Sequence, residues 1–334
     1  MQFIKSLVIL LLLLLLTSCF DYSDEGKYWS EEWIATMNID GSDIEFLTKG
    51  NRSPYYVADL DNPGEEKVII DNYISVSYLN EDGTIGDYVL TDVGKIVEIS
   101  HDRTKMVMEY NQDIYIANVD GTDLRNITNT PDIREHDASI SVDNTQIVYS
   151  RYIYSQDVRS ESLIIYNLID NTETELIREQ NDNIVFFGSS SIVFNKVFYF
   201  KNSSPVITPT GLYCYDIETG IDSLIYEGFV FDVITDYKEY VYIHAYTVGI
   251  LQFDIVELSY QLLFANQPLA SSSVLSLDQS SEFLCVSNNN SIAIIYNKQT
   301  AEYIYLPNLT SRVSFNRESI KIISVFSRRH PDDF

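Results

Sequence analysis

The chain has 334 residues, and Lys+Arg 22 against Asp+Glu 49 gives it a formal net charge of −27. A surface this acidic repels nucleic acid and anionic lipid headgroups, so we expect no nucleic-acid partner. The 25 tyrosines and 16 phenylalanines, together with abundant Ile and Val, favour strands over helices. The acidic charge by itself is typical of a well-solvated surface.

The first predicted element is a leader that is removed before folding. Lys5 supplies a positive charge, and Leu7 to Leu16 form an unbroken apolar run. This run is too short for a transmembrane helix, which needs roughly 20 apolar residues. The run ends in Leu-Thr-Ser-Cys, with the cysteine at position 19, and this tetrapeptide resembles a bacterial lipobox. The resemblance implies cleavage before Cys19 and lipidation of its sulfur, while an ordinary signal peptide cut elsewhere is the open alternative.

The resemblance to lipoproteins also implies a location. Residues 1–18 are predicted to be the lipoprotein signal peptide, and residues 19–32 a short acidic tether. By resemblance to Gram-negative lipoproteins, a residue other than Asp after the cysteine, here Phe20, implies transfer to the outer membrane. We therefore expect a cell-envelope protein that contacts the membrane through its lipid anchor.

A repeated pair of strands begins at residue 33. The clearest copies each contain a strand, then Asn-x-Asp-Gly, then a strand ending in Leu-Thr or Ile-Thr; they span residues 33–48, 74–91 and 113–128. Asp-Gly between apolar runs predicts a tight hairpin, because glycine accepts the positive φ that such turns need. Weaker copies follow at 163–177, 212–226, 250–264 and 292–306. The spacing averages about 43 residues, which is typical of propeller blades.

A second kind of strand pair lies between these hairpins and carries a short polar turn. Its copies span residues 57–70, 97–110, 139–151, 184–197, 233–246, 273–287 and 312–326. Seven pairs of each kind predict an all-β fold, a seven-bladed β-propeller with four antiparallel strands per blade over residues 33–327, followed by a tail at 328–334. Longer loops are predicted at 152–161, 201–210 and 265–272.

The order of the two kinds of pair predicts how the ring closes. The chain begins with an Asn-x-Asp-Gly hairpin and ends with the other kind of pair. These terminal pairs must therefore share one blade. Closure of this kind protects strand edges that would otherwise pair with other chains.

The first three copies resemble the TolB-like propeller repeat. The match is close at Asn38 to Thr48 and at Asn118 to Thr128, and it fades after residue 160. The resemblance implies a binding role at the cell envelope. We therefore expect a non-enzymatic, lipid-anchored scaffold for an envelope protein or a peptidoglycan-associated partner, without a cofactor. This hypothesis predicts an apolar or aromatic patch on one face of the ring.

The alternative is a carbohydrate-active enzyme, either a lyase or a hydrolase. Some seven-bladed propellers with TolB-like repeats are pectic lyases that use several histidines around a metal. The histidines of this chain are scattered among turns, a strand and the tail, at His101, His136, His244 and His330. Metal-assisted chemistry needs ligands that meet at one point, so we predict no metal site of this kind. The enzyme hypothesis requires instead that His136, Asp137 and acidic neighbours converge at the channel mouth with shifted pKa values.

The segment 59–65 (DLDNPGE) resembles the calcium loops of integrin-type propellers. Asp59, Asp61 and Glu65 offer oxygen atoms that suit Ca²⁺. Pro63 and Lys67, however, occupy places where further acids are expected. A solvated turn is therefore the favoured interpretation.

Other acidic residues and the cysteines need no functional explanation. The turn aspartates are expected to accept hydrogen bonds from nearby backbone N–H groups, namely Asp40, Asp82, Asp120, Asp143 and Asp278. Cys214 and Cys285 lie in apolar strand patterns of non-adjacent blades. We predict that both are buried and that they do not form a disulfide.

Overall fold

The computed structural model describes residues 31–50, 52–154, 159–180, 184–204, 209–265, 273–278, 280, 282–288, 292–307, 313–316, 318 and 321–328. The predicted leader at 1–18, Cys19, the tether up to residue 30, His330 and the rest of the tail lie outside these residues. The regular elements of the described part are strands. No helix there is long and apolar enough to cross a bilayer.

The strands form seven four-stranded antiparallel sheets, which confirms the predicted seven-bladed propeller. From the inside outward, blade 2 contains β3 (Ser53–Ala58), β4 (Glu66–Asp71), β5 (Ser75–Leu79) and β6 (Ile85–Thr91). Blade 3 contains β7 (Lys95–Ile99), β8 (Lys105–Tyr110), β9 (Asp113–Asn118) and β10 (Arg125–Asn126). Blade 4 contains β11 (Arg134–Ile140), β12 (Gln146–Tyr154), β13 (Arg159–Asn167) and β14 (Thr172–Gln180).

The next three blades repeat the same order. Blade 5 contains β15 (Ile184–Val193), β16 (Lys196–Ser204), β17 (Gly211–Asp216) and β18 (Ile221–Glu227), blade 6 contains β19 (Val230–Thr235), β20 (Tyr240–Ala245), β21 (Gly249–Asp254) and β22 (Tyr260–Ala265), and blade 7 contains β23 (Ser273–Leu277), β24 (Phe283–Asn288), β25 (Ile292–Asn297) and β26 (Glu302–Pro307). The first strands contact one another between blades 1 and 2 and between successive blades from 3 to 7, so they are the strands nearest the channel.

Blade 1 is built from both ends of the described chain, as the order of the hairpins predicts. Its strands are β27 (Ser314–Phe315), β28 (Lys321–Arg328), β1 (Glu31–Asn38) and β2 (Glu45–Lys49), in the sheet order β2-β1-β28-β27. Ala35 of β1 packs in one apolar cluster with Ile322 of β28. Ile34 and Ile323 pack together in another. The ring is therefore closed by noncovalent strand pairing.

The apolar core is divided into seven layers, one between each pair of neighbouring blades. In the layer between blades 5 and 6, for example, Phe198 and Leu212 pack with Val241 and Phe253. The other six layers are likewise built mainly from buried aliphatic side chains, and five of them also bury an aromatic ring. A chain of this length needs such a division, because a single core stops growing beyond roughly 250 to 300 residues.

The predictions for the cysteines and the turn aspartates are confirmed. Cys214 in blade 5 and Cys285 in blade 7 are buried and form no disulfide. All five turn aspartates accept a hydrogen bond from the backbone N–H two positions later, on Ser42, Thr84, Thr122, Thr145 and Ser280. These acids are therefore explained by turn geometry.

The predicted loops at 152–161 and 201–210 are partly wrong. β12 continues to Tyr154, β13 begins at Arg159, and β16 continues to Ser204. Residues of the first segment pair across the hairpin, for example Tyr152 with Glu161 and Ile153 with Ser160. Most of the third predicted loop, 266–272, lies outside the described residues.

Candidate functional site

The ring has two faces, which differ in the loops that they carry. What we call the hairpin face carries the connections between the second and third strands of each blade, not the Asn-x-Asp-Gly turns between the third and fourth strands. Tyr73, Tyr110, Tyr154 and Tyr246 lie in or next to these connections. The turn face carries the turns between the first and second strands, which include His101 and Tyr237.

His136 and Asp137 lie near the hairpin face in the innermost strand of blade 4. The sequence interpretation placed them just before that strand, but β11 includes them, with a bulge between His136 and Ser139. Asp137 has a φ of 54° at this bulge. The Nδ1 atom of His136 lies 2.8 Å from Oδ2 of Asp137, and its Nε2 atom lies 3.6 Å from Oε1 of Glu161.

Two glutamates, the buried Glu161 and the half-buried Glu109, complete this mouth cluster, which they form with His136 and Asp137. Burial raises the pKa of Glu161 to about 7. Burial also raises the pKa of Glu109, and the negative charge of Asp137 adds to the effect. The convergence and the shifted pKa values that the enzyme hypothesis requires are therefore present in part.

Both glutamates, however, already have a structural task. The backbone N–H of Phe187 donates to Oε1 of Glu161 at 2.8 Å. The backbone N–H of Asp137 donates to Oε1 of Glu109 at 2.7 Å. In each case the carboxylate belongs to one blade and the N–H group to the innermost strand of the next blade.

The same arrangement recurs around the ring. Five carboxylates, which we call the inter-blade carboxylates, each accept a backbone N–H of the following blade: Asp71 from Ile96, Glu98 from Ile140, Glu109 from Asp137, Glu161 from Phe187, and Asp232 from Leu275. Hydrogen bonds to charged groups contribute roughly 1.5–3 kcal/mol each. Sequence reasoning missed this role, although an isolated acid within an apolar strand is a signal for it.

An aromatic patch lies on the hairpin face at blades 5 and 6. We call it the blade 6 patch, and it consists of Phe200, Phe229, Phe231, Tyr246 and Val248. The ring of Phe229 lies 5.1 Å from that of Phe200 and 5.3 Å from that of Phe231, and Phe231 lies 5.7 Å from Tyr246. Phe229 is 41% exposed and Tyr246 is 51% exposed. Clustered exposed aromatics of this kind are typical of binding surfaces.

Other hairpins expose apolar residues on the same face. In blade 2, Tyr73 and Ile74 are exposed where β4 connects to β5. In blade 4, the exposed ring of Tyr154 stacks on that of Tyr152. The guanidinium carbon of Arg159 lies over the Tyr154 ring, 5.0 Å from its centroid. The structure thus has an aromatic face of the kind that the scaffold hypothesis predicts.

The histidines do not meet at one point in the described part of the chain. His101 lies on the turn face, where its ring packs 4.9 Å from that of Tyr237. His244 is fully buried beneath the blade 6 patch, against Phe231. Among the described residues, no group of three or more His, Cys, Asp or Glu side chains is arranged to hold a metal ion.

In the turn from β3 to β4, a lysine lies beside the acids that suggested a calcium loop. The ammonium of Lys67 lies 2.8 Å from Asp59 and 3.8 Å from Asp61, whose side chain is exposed. The side chain of Asn62 also donates to Asp59. These two partners lower the pKa of Asp59 to about 2, with the hydrogen bond from Asn62 as the larger cause. Glu65 contributes its backbone carbonyl, which accepts the N–H of Asp59.

We expect calcium to leave the thermal stability of the protein unchanged, because Lys67 already compensates the charge of Asp59. The midpoint of thermal unfolding should agree within about 1 °C in calcium and in chelator. Lys67→Gln should lower the midpoint in both conditions. A calcium-dependent rise in the midpoint of the unsubstituted protein would show that the turn binds the ion.

Comparison with known proteins identifies the fold alone. No protein-family model matches the sequence, and no curated protein sequence matches it. Among solved structures, the chain is similar to oligogalacturonate lyase from Vibrio parahaemolyticus, with a TM-score of 0.61 and 10% identity over 90% of this chain and 98% of that one. It is also similar to an oligogalacturonate lyase in complex with manganese, with a TM-score of 0.66 and 8% identity over 90% and 97% of the two chains. A structure described as TolB from Agrobacterium tumefaciens matches with a TM-score of 0.47 and 12% identity over 91% and 99%.

Proposed function

We propose that this chain is a non-enzymatic, lipid-anchored propeller of the bacterial cell envelope. Its hairpin face binds an envelope protein or a peptidoglycan-associated partner. The observation that supports this function best is the blade 6 patch, where Phe229 and Tyr246 are exposed and pack beside the half-buried Phe231. Aromatic residues are enriched at protein interfaces, because they bury a large area with few rotatable bonds.

The mouth cluster supports the non-enzymatic part of the proposal. Glu109 and Glu161 each accept a backbone N–H from the next blade, and Glu161 is only 2% exposed. A general acid or base must reach the substrate, whereas Glu161 is buried between blades and the half-buried Glu109 is engaged by the N–H of Asp137. Three other acids, Asp71, Glu98 and Asp232, accept a backbone N–H of the next blade in the same way, so blade packing accounts for the arrangement.

A carbohydrate-active enzyme remains the second candidate, because one observation favours it. Glu161, with a pKa of about 7, lies beside His136 and Asp137 at the channel mouth. Such a carboxyl group can donate a proton near neutral pH. Incubation of the purified protein with neutral and acidic oligosaccharides, followed by product analysis, separates the two candidates. Turnover that is lost in Asp137→Asn would favour the enzyme.

The lipid anchor is a separate prediction from the leader sequence. We expect the protein to pellet with membranes and to incorporate labelled palmitate, and Cys19→Ala should abolish both. Cys214→Ala is the matched control, because that buried thiol lies in the core of blade 5. Labelling that persists in Cys19→Ala would contradict the anchor.

The binding role is tested by photo-crosslinking in the native envelope. A photoreactive phenylalanine at Tyr246, which is 51% exposed in the blade 6 patch, is expected to form one discrete adduct. The matched control is Tyr303, which is 54% exposed on the outermost strand of blade 7. Phe229→Ala should reduce the adduct at position 246 at least about fivefold, since hot-spot aromatics carry much of the affinity.

The crosslinking result can contradict the proposal in two ways. Equal adducts at positions 246 and 303 would show random collisions instead of binding. An adduct at position 246 that Phe229→Ala leaves unchanged, in a variant with an unchanged melting curve, would place the partner elsewhere.

A further inference from the structure

The first described strand begins at the hairpin face. β1 is the third strand of blade 1, and it runs from Glu31 to the Asn-x-Asp-Gly turn that follows Asn38. Successive strands of a blade run in opposite directions, so the turns between third and fourth strands lie on the turn face. β1 therefore starts at the opposite face, which is the hairpin face.

The proposed lipid anchor lies a short stretch of chain before this strand. Glu31 follows Cys19 by 12 residues. Even a fully extended chain of that length spans at most about 43 Å. A protein lipidated at Cys19 is thus tethered to the membrane through the hairpin-face side of blade 1. Blade 2 is the next blade in the ring.

Acidic residues are distributed unequally between the two faces. The Asn-x-Asp-Gly turns of blades 1, 2 and 3 each carry two acids on the turn face, within residues 39–44, 80–84 and 119–124. Three of the second-to-third connections lie entirely within the described residues, and none of their residues is charged, at 72–74, 111–112 and 246–248.

The distance between the faces is large enough to make this difference matter near a membrane. β5, which joins the two faces in blade 2, has five residues and so spans roughly 16 Å. Repulsion between exposed acids and anionic headgroups falls off over a Debye length of roughly 8–10 Å. A bilayer beside the hairpin face is therefore largely screened from the acids of the turn face.

The connection between β4 and β5 forms an exposed apolar tip. We call its residues Asn72, Tyr73 and Ile74 the blade 2 tip. Tyr73 is 57% exposed and Ile74 is 62% exposed. An aliphatic side chain beside a tyrosine suits the boundary of a bilayer, because the apolar groups contact acyl chains while the tyrosine hydroxyl stays among headgroups and water.

Backbone hydrogen bonds hold this tip in one conformation. Tyr73 has a φ of 64°, a left-handed conformation that is uncommon for a bulky residue. Its N–H donates to Oδ1 of Asp71 at 2.8 Å, and the N–H of Ile96 in blade 3 donates to the other oxygen at 2.9 Å. The N–H of Asp92 donates to the carbonyl of Ile74 at 2.8 Å. Residues held in such conformations cluster at functional sites, so the exposed ring of Tyr73 is itself an indication of a contact.

We propose that the blade 2 tip contacts the lipid surface to which the chain is anchored, with Tyr73 and Ile74 at the boundary between headgroups and acyl chains. This inference rests on the proposed anchor at Cys19 and adds an orientation to it. The hairpin face lies toward the bilayer, and the acidic turn face points away from it. The blade 6 patch is separated from the tip by blades 1 and 7, so it stays accessible to the partner proposed above.

Fluorescence quenching in vesicles tests the proposal. The lipidated full chain carries a bimane label at Tyr73→Cys, in phosphatidylcholine vesicles with and without a spin-labelled phosphatidylcholine that quenches the label. Burial raises the pKa of both remaining thiols, that of Cys214 to about 11 and also that of Cys285, so the label reacts at the introduced cysteine. We expect quenching at position 73 to be at least about threefold stronger than at Glu81→Cys. Glu81 is the matched control, because it is exposed on the turn face of the same blade.

A charge at the tip should abolish the contact and leave the anchor intact. Ile74→Asp places a carboxylate where the bilayer excludes it, so quenching at position 73 should fall at least about threefold. Ile169→Asp, at a 74% exposed position on the turn face of blade 4, is the matched control and should change nothing. If Ile74→Asp shifts the melting curve, Ile74→Ser keeps the test decisive, because it removes the aliphatic side chain without adding charge and should lower the quenching about twofold.

Flotation with the vesicles separates this proposal from the anchor. Equal quenching at positions 73 and 81, in protein that floats, would overturn the tip contact and leave the anchor standing. Quenching that Ile74→Asp leaves unchanged would overturn the contact as well. An unsubstituted protein that does not float would contradict the anchor and the tip contact with it. The adduct at Tyr246 reports on blade 6 and is expected in every tip variant, so the partner proposal fails independently.

Discussion

A chain that ends after Asn316 is expected to lose its cooperative unfolding transition. This change removes β28, which is hydrogen-bonded between β1 and β27 in blade 1. Ile322, Ile323 and Val325 of β28 are fully buried. Their burial contributes about 5 to 9 kcal/mol at ordinary values for aliphatic side chains. That is comparable with the whole free energy of unfolding of a typical domain, roughly 5–15 kcal/mol, so the truncated chain should not remain folded.

Circular dichroism and size-exclusion chromatography measure this result. The truncated chain is expected to melt without a sharp transition and to aggregate, because the inner edge of β1 becomes exposed. A synthetic peptide of residues 317–328, added in trans, should restore a measurable transition by supplying the missing β28 to blade 1. A second control is Lys321→Ala in the full chain, since this exposed residue of β28 contributes little to packing. A truncated chain that melts like the full one would contradict closure by the terminal strands.

Glu161→Gln is expected to stabilise the protein at pH 8 and to leave it nearly unchanged at pH 4. Burial raises the pKa of Glu161 from 4.5 to about 7 in the folded state. Between these values the unfolded chain releases the proton while the folded chain keeps it, so the free energy of unfolding falls as the pH rises. The difference corresponds to about 3 kcal/mol above pH 7. Glutamine cannot ionise, and its amide oxygen still accepts the N–H of Phe187.

Chemical denaturation at several pH values measures this effect. The stability difference between Glu161→Gln and the unsubstituted protein should grow from near zero at pH 4 to its maximum above pH 7. Glu81→Gln, in the exposed turn between β5 and β6, is the matched control. A difference for Glu161→Gln that does not change with pH would show that this carboxyl group is not buried between blades 4 and 5.

Local sequence patterns predict the architecture of this protein well. Asp-Gly turns and strand alternation depend on neighbouring residues, so Asp40, Asp82 and Asp120 could be assigned to turns directly. Ring closure follows from the order of the hairpins alone. The extension of β12 to Tyr154 was missed, because polar residues that pair across a hairpin resemble a loop in the sequence.

The candidate sites could be predicted only in part, because their contacts join different blades. His136 and Asp137 are adjacent in sequence and could be singled out, whereas the partner of Glu161 lies 26 residues away. Tyr237 and Glu98 are 139 residues apart and meet only because the ring brings blades 3 and 6 to the same channel. Periodicity shows which residues form strands, but it does not show which polar side chain faces the channel.

Hydrogen exchange in Glu161→Ala tests most directly whether the mouth cluster serves blade packing. The N–H of Phe187 donates to Glu161, so loss of the carboxylate should free this amide while the rest of the ring stays folded. We predict that exchange in a peptide containing Phe187 accelerates at least about tenfold, which corresponds to the loss of roughly 1.4 kcal/mol of local protection. Peptides from blade 7 should keep their protection. Unchanged exchange at Phe187 would contradict the structural role of Glu161 and would favour a catalytic role for the mouth cluster.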